Sequence, residues 1–382
     1  MGPRSPLPNE RHAAKAVSRS GHGMHEQKSA AVQQGKERTA MTDLIRPGEI
    51  MTDTEGKRIH IHGGSVLALD GEYYWYGEDK SQSTPAIGRW HSGVRAYRSP
   101  DLMSWTDLGS ILPAEPNDPD SPLHPAKMMD RPHIVRHPST GKFVCWMKVM
   151  HEDGKQRSWV YQADRFEGPY LLVRAGFEPL GMSAGDFDLV VDPETGRGYY
   201  YFERVHSELI CADLTEDLTD VTGTYSTHFP HPHPPLVREA PAYFRHDGRH
   251  YLITSGTSWY FPNRSEVAVA DDYHGPWTVV GDPHRNDPSG TSFHSQISSV
   301  LTLEDGRHVA LADRWLPDVS DDLIRRGWRA TEAQFTGGER DPEIDAFVHA
   351  GAPDTSRARH VWLEIRFENG VPVIDWHDAW RP

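Results

Sequence analysis

Five stretches of this chain follow one grammar, and that repetition constrains the fold more than any other feature of the sequence. The first runs "GGSVLALDGEYYWYGE" and then "GVRAYRSPDLMSWTDLG"; the second runs "RPHIVRHPSTGKFVCWMKVM" and then "SWVYQADRFEGPYLLV". The third is "DFDLVVDPETGRGYYYFER" with "ELICADLTEDLTDVTG", and the fourth "APAYFRHDGRHYLITSG" with "SEVAVADDYHGPWTVVG". The fifth opens with "SQISSVLTLEDGRHVALADRW" and closes much later with "HVWLEIRFENGVPVIDW". In each, an apolar run meets a turn such as DG, PSTGK, PETGR or EDG, and an aromatic-rich run follows, which predicts a hairpin. A third run of small and β-branched residues and a fourth ending near Trp or Tyr complete the unit. Four strands at a period of roughly fifty-five residues predict a propeller blade.

The fold class expected is therefore all-β, a five-bladed β-propeller over residues 45–382 with four-stranded blades. A β-sandwich with the same number of strands does not account for the recurring "SPDLMSW" and "YHGPW" grammar. The fifth blade is interrupted at about 317–358, where the apolar spacing of "DDLIRRGWRATEAQF" predicts a short helix placed to cover a pocket or a subunit interface. Residues 1–44 are expected to be a disordered leader. The first forty are polar and basic, with no apolar run long enough for a secretory signal or a membrane span, so a cytoplasmic protein is the expectation.

Partner classes are narrowed by charge. The 55 acidic residues outnumber 40 Lys and Arg, a formal charge of −15. Nucleic acid and anionic membranes reward cationic surfaces, so neither is an expected partner, whereas an uncharged substrate fits. Cys145 and Cys211 lie in strand-like runs without metal-ligand spacing, as small buried thiols do. The tract "THFPHPHPP" resembles a metal motif, but its prolines extend the chain and space His228, His231 and His233 poorly for a tetrahedral site; a structural loop is expected, with no metal assigned.

In a propeller the first strand of each blade lines the central channel, so residues at the starts of successive first strands converge on one mouth. Here those positions are His62 with Gly63 and Gly64, then Asp130, Asp186, Glu239 and Gln296. Three carboxylates and an amide would then face one another, and like charges held close with poor solvation raise one another's pKa, as a general acid at neutral pH requires. Paired carboxylates rimmed by Trp and Tyr suit the cleavage of a glycosidic bond, with rings stacked on sugar C–H faces.

At these residues the chain resembles a known family. "HGGSVLALDGEYYWYGE", "DRPHIV", "GDFDLVVD", "REAPAYF" with "YLITSG", and "LADRW" together look like glycoside hydrolase family 43, and more narrowly its exo-β-1,3-galactanase branch of five-bladed inverting enzymes. The similarity covers nearly all of the chain after residue 45. It implies that Glu239 of "REAPA" is the general acid and that Asp186 of "GDFD" tunes its pKa and orients it. The family's usual base, an Asp near the start of blade one, is replaced here by "HIHGG", an absence shared by that branch. Two base candidates follow. Asp130 stands in "DRP" where the branch has Glu, and Gln296 in "HSQIS" acts either through an imidic form or, as ranked first, by positioning the water.

The same resemblance suggests Glu78, Arg131, Thr254, Asp313, Arg314 and Trp315 as hydrogen-bonding or stacking partners of the terminal sugar, against the alternative of strand-end packing and ion pairing. Trp259, on a loop after a blade-four strand, is a stacking candidate. No cofactor is required by this chemistry, although some members hold a calcium or a water-coordinated His in the central channel. The expected reaction removes galactose from the non-reducing end of short β-1,3-galactooligosaccharides. The alternatives are another family 43 specificity (α-L-arabinofuranosidase, β-xylosidase or β-galactofuranosidase) and a non-catalytic sugar-binding propeller.

Overall fold

The computed structural model describes residues 44–84, 87–349 and 354–382. The expected leader falls outside the described residues except for Leu44. Twenty strands among them form five separate four-stranded antiparallel sheets, each built from consecutive strands. Blade one holds β1 (Ile61–Leu69), β2 (Glu72–Asp79), β3 (Gly93–Ser99) and β4 (Thr106–Pro113). Blade two holds β5 (Met128–Arg136), β6 (Phe143–Met150), β7 (Gln156–Ala163) and β8 (Leu171–Phe177). Blade three holds β9 (Ala184–Val191), β10 (Gly198–Arg204), β11 (Glu208–Leu214) and β12 (Val221–His228). Blade four holds β13 (Arg238–His246), β14 (Arg249–Gly256), β15 (Glu266–Ala270) and β16 (Thr278–Gly281), and blade five β17 (Gln296–Thr302), β18 (His308–Arg314), β19 (Arg359–Glu368) and β20 (Val371–Ile374).

The turn chemistry explains why the hairpins form where they do. Asp70–Gly71 and Asp247–Gly248 join first and second strands through two-residue turns in which both residues have positive φ, at 52° and 81° and at 48° and 76°. Such turns match the right-handed twist of the flanking strands, and Asp-Gly tolerates them better than most pairs.

Each pair of neighbouring blades shares one apolar cluster. Cys145 and Cys211 sit buried in two of these clusters, the first between blades one and two and the second between blades three and four. The seam that closes the ring joins blade five to blade one. There Trp75 packs against Trp362 with centroids 4.5 Å apart and against Trp105 at 5.2 Å, all three buried. Each such ring removes roughly 200 Å² from water, worth about 5 kcal/mol before conformational entropy. Ile45 and Trp380 add a backbone clasp, exchanging N–H···O bonds of 2.8 and 3.0 Å.

The blade-five insertion forms two helices, α1 (Asp321–Thr336) and α2 (Pro342–His349), where the sequence suggests one. Ser320 caps α1 by accepting from the Leu323 N–H, Asp321 and Asp322 lie in its first turn, and Gly337 ends it in the left-handed region. Its buried face carries Ile324, Gly327 and Ala330, and Gly327 permits close approach of Phe261, since any Cβ there would strike the ring. No helix among the described residues is long and apolar enough to cross a membrane.

Candidate active site

A break in strand register beside the channel explains how the entry residues are aimed. The pairing shifts between His62 and Ser65 in β1, Asp130 and His133 in β5, Glu239 and Ala242 in β13, and Ile297 and Ser299 in β17. In blade three the extra residue likewise lies on the inner strand β9, where Phe187 and Ala184 face Phe202 and Arg204 of β10, so the break brackets Asp186. A bulge adds a residue to one strand and turns its neighbour out of the ladder. Three of these bulges place a left-handed residue next to the entry position: Gly63, Arg131 and Ala240, at φ 65°, 51° and 48°. For Arg131 and Ala240 this conformation costs about 1–2 kcal/mol each, and strain of this kind gathers at functional sites. The glycines of "HIHGG" serve packing. A Cβ on Gly63 would strike the Glu78 carboxylate and one on Gly64 the Tyr76 carbonyl, so the place of a blade-one acid is occupied by Glu78 from the adjacent strand.

Asp130, Asp186, Glu239 and Gln296 line one cavity of about 580 Å³, within the volume range of a small-ligand site, whereas His62, the blade-one entry residue, is buried off its wall and Glu78 lines it instead. At its centre Asp186 is held by Arg131 (Nε to Oδ2, 2.8 Å) and Lys148 (Nζ to Oδ1, 2.9 Å). Burial would raise the Asp186 pKa, but these two cations hold it down at about 2. Among the described residues no cation pairs with Glu239, which accepts from Gln296. Burial, then the neighbouring Asp186 and Glu203 carboxylates, hold it well above the usual carboxylate range. Two carboxyls in one pocket are thus pushed to opposite protonation states, the pattern that separates an acid from a fixed charge.

Gln296 links the two halves. Its Nε2 donates to Glu239 Oε1 (3.1 Å) and to Ser255 Oγ (2.9 Å), while its Oε1 accepts from Arg131 Nη2 (2.6 Å) and Trp315 Nε1 (3.2 Å). An imidic form would carry its proton on oxygen, facing two groups that can only donate. The contacts favour the ordinary amide, and with it a positioning role. Asp130 accepts from Trp90 Nε1 (2.8 Å) and lies 3.5 Å from Lys148 Nζ. Glu78 accepts from the Arg131 N–H (2.9 Å) and pairs with buried Lys80 (2.6 Å); burial, opposed by Lys80 and reinforced by Asp130, pushes it up to about 7.

Of the expected sugar contacts, Glu78, Arg131, Trp259 and Trp315 are on the pocket wall. Thr254, Asp313 and Arg314 are not on this wall, although Asp313 lines a small adjoining pocket with Gln296 and Trp315. Ser255 pairs with Glu239 across β13 and β14 and shares its face, so alternation turns Thr254 to the opposite face, where it accepts from Arg238 Nε at 3.0 Å. Asp313 is buried beneath the site and commits both oxygens, to His62 Nδ1 (2.7 Å) and to the Gly63 N–H (2.9 Å), which fastens the blade-one bulge to blade five. Arg314, one residue on, points away, donating to the Phe293 carbonyl and lying over Trp376.

Several site residues were missed. Lys148 is the main one, and its signal was present: a lysine inside the otherwise apolar strand "FVCWMKVM". Trp90, Tyr260 and His206 come from loops of three blades. Tyr260 meets Trp315 and Trp90 at centroid distances of 5.4 and 6.2 Å, a collar that no sequence spacing announces.

The fit of a metal can be tested at His62, Asp313 and His360, the one cluster of suitable spacing among the described residues. Calcium takes six to eight oxygens. Two imidazoles, with His360 Nε2 already bonded to the Ile61 carbonyl, and a carboxylate engaged on both oxygens do not match that demand. His228, His231 and His233 do not cluster either. His228, the last residue of β12, bonds Ser226 Oγ, and His233 bonds the Pro234 carbonyl.

No protein of curated function matches the sequence. Among solved structures, a family 43 β-1,3-galactosidase crystallised with galactodeoxynojirimycin is 25% identical, with TM-score 0.72, over 88% of this chain and 100% of that one. A second β-1,3-galactosidase of the family is 26% identical with TM-score 0.70 over 88% of this chain, which spans only 63% of that one's length. An exo-β-1,3-galactanase from Phanerochaete chrysosporium, solved with β-1,3-galactotriose, shares the fold at 22% identity and TM-score 0.72, over 89% of this chain and 68% of that one. The model of glycosyl hydrolases family 43 matches residues 61–310, across four blades and into the fifth, including all the inner strands that carry the acids. With that match on a five-bladed propeller whose acids meet at one channel mouth, the chain belongs to glycosyl hydrolase family 43.

Proposed function

We propose that this hydrolase releases terminal galactose from β-1,3-linked galactosides with inversion at the anomeric carbon. The observation that carries the reading is geometric: Glu239, bonded to the neutral amide of Gln296, shares one pocket with Asp186, which Arg131 and Lys148 both grip. The names of the two β-1,3-galactosidases similar to this chain favour galactose as the sugar.

In this reading, protonated Glu239 gives its proton to the glycosidic oxygen as the C1–O bond breaks. Asp130 takes a proton from the water that attacks C1 from the opposite face, so the product leaves as α-galactose. Asp186 remains ionised between Arg131 and Lys148. Its negative charge keeps Glu239 protonated until the bond breaks. Gln296 holds Glu239 from one side.

The test is hydrolysis of β-1,3-galactobiose followed by proton NMR, with wild type and Glu239→Gln compared. Galactose appearing first as the α-anomer, and lost in the variant, supports the whole reading. Release of β-galactose overturns inversion. Release of no sugar here, but of arabinose, xylose or galactofuranose from matching glycosides, replaces the substrate and keeps the family; binding without turnover of any of them makes the chain a sugar-binding propeller.

A further inference from the structure

The pocket is chemically divided. Every carboxylate and carboxamide that lines it belongs to one hydrogen-bonded cluster: Glu78 bonds the Arg131 N–H, Asp130 and Gln156 meet Lys148, Glu239 meets Gln296, and Asp186 joins Arg131 to Lys148. The remaining wall is largely apolar. Met128, Met150, Trp259, Phe335, Phe347 and Val348 line it, and three of the six come from the helical insertion of blade five. Phe335 and Trp259 are 43% and 45% exposed in spite of their size. Near them Arg89 donates one N–H to Gln82, and His206 Nδ1 is bonded to buried Glu203 at 2.7 Å while its ring meets the edge of Phe335.

A second sugar in this chamber would meet chiefly apolar surface, with Arg89 and a few Ser, Thr and Tyr hydroxyls as its polar partners, whereas an apolar group would cover the exposed rings at a gain. Resting on the reading above that the floor binds a terminal galactosyl unit, we propose that the α1–α2 wall is a leaving-group subsite for an apolar aglycone. The favoured substrates are then galactosides of hydrophobic alcohols, with β-1,3-galactobiose the poorer substrate. The bond chemistry is unchanged. Glu239 protonates the aglycone oxygen, water attaches to C1, and the alcohol departs.

An alkyl series tests this without altering leaving-group acidity. We expect kcat/KM to rise from methyl through butyl to octyl β-galactoside by roughly tenfold to a hundredfold, as buried methylenes accumulate. In Phe335→Ser, and independently in Trp259→Ser, the octyl-to-methyl ratio should fall severalfold; both residues are surface-accessible enough for the fold to survive their loss. A flat series in wild type, with β-1,3-galactobiose cleaved at least as well, overturns the apolar subsite and leaves the galactosidase reading intact. If galactose comes from neither the alkyl series nor the disaccharide, both fall together. A rising series whose slope survives both substitutions overturns the assignment to this wall.

Discussion

Gln296 donates one amide N–H to Glu239 at 3.1 Å while its carbonyl oxygen accepts from Arg131, which in turn grips Asp186. Gln296 and Arg131 thus connect the two carboxyls, Glu239 through a neutral amide and Asp186 through a guanidinium. That arrangement sets what each substitution should do.

Glu239→Gln should lower kcat on β-1,3-galactobiose by about 10³-fold, within the usual contribution of a general acid. With a nitrophenyl leaving group, which departs without protonation, the loss should be far smaller. Steady-state kinetics on the two substrates in parallel would show the difference, and equal losses on both would argue that Glu239 does something other than donate a proton.

Asp186→Asn should move the alkaline limb of the kcat/KM profile to lower pH. The Asp186 charge raises the Glu239 pKa, so neutralising it lets Glu239 deprotonate earlier. Lys148→Met should move that limb the other way, because Lys148 opposes the shift. Full pH–rate profiles of both variants decide the matter, and a common direction of shift would contradict the network.

The same shifts act on stability. Glu239 has a folded pKa above its unfolded one, so it costs stability increasingly as pH rises from about 4.5 towards the folded value. Glu239→Gln should therefore raise Tm at pH 8 by more than at pH 4.5. Asp186 is the opposite case. Its stabilisation is present above about 3.9 and is lost as pH falls through about 2, so acid unfolding of Asp186→Asn should begin from a lower plateau and be less steep in that window. Thermal melts across pH measure both.

Asp313→Ala should destabilise by about 3 kcal/mol, since it leaves the Gly63 N–H and the buried His62 without their acceptor. Because it acts beneath the site, the substitution should also loosen Glu78 through the Gly63 bulge. Urea unfolding gives the first number, and the KM for galactobiose reports the second.

Trp362→Ala should cost about 3–5 kcal/mol, more than the loss of a large surface side chain, because it empties the seam where the ring closes between blades five and one. Denaturant unfolding with a tryptophan fluorescence readout compares it directly with Trp259→Ala, which should be nearly neutral.

The blades were legible in the chain because their signals are local. Asp70–Gly71 and Asp247–Gly248 mark their hairpins without reference to anything distant, and the five-fold recurrence carries the architecture. The entry residues Asp130, Asp186, Glu239 and Gln296 followed from the same register, and the structure lines all four on one pocket. Which side chains would share that pocket with them depended on contacts between blades. Lys148 neutralises an acid on blade three from a strand of blade two, and Trp90 reaches Asp130 across a loop from blade one. Thr254, Asp313 and Arg314 lie off the main pocket wall because strand alternation and channel depth separate neighbours in sequence, sending Thr254 to Arg238 while Ser255 meets Gln296. The sequence by itself determined the five-bladed ring and the four entry residues, since turn residues and strand period act over a few positions. Only the tertiary structure decided which acid stays protonated and what chamber lies beside it, because charge compensation and the packing of α1 and α2 against the propeller are set by residues far apart in the chain.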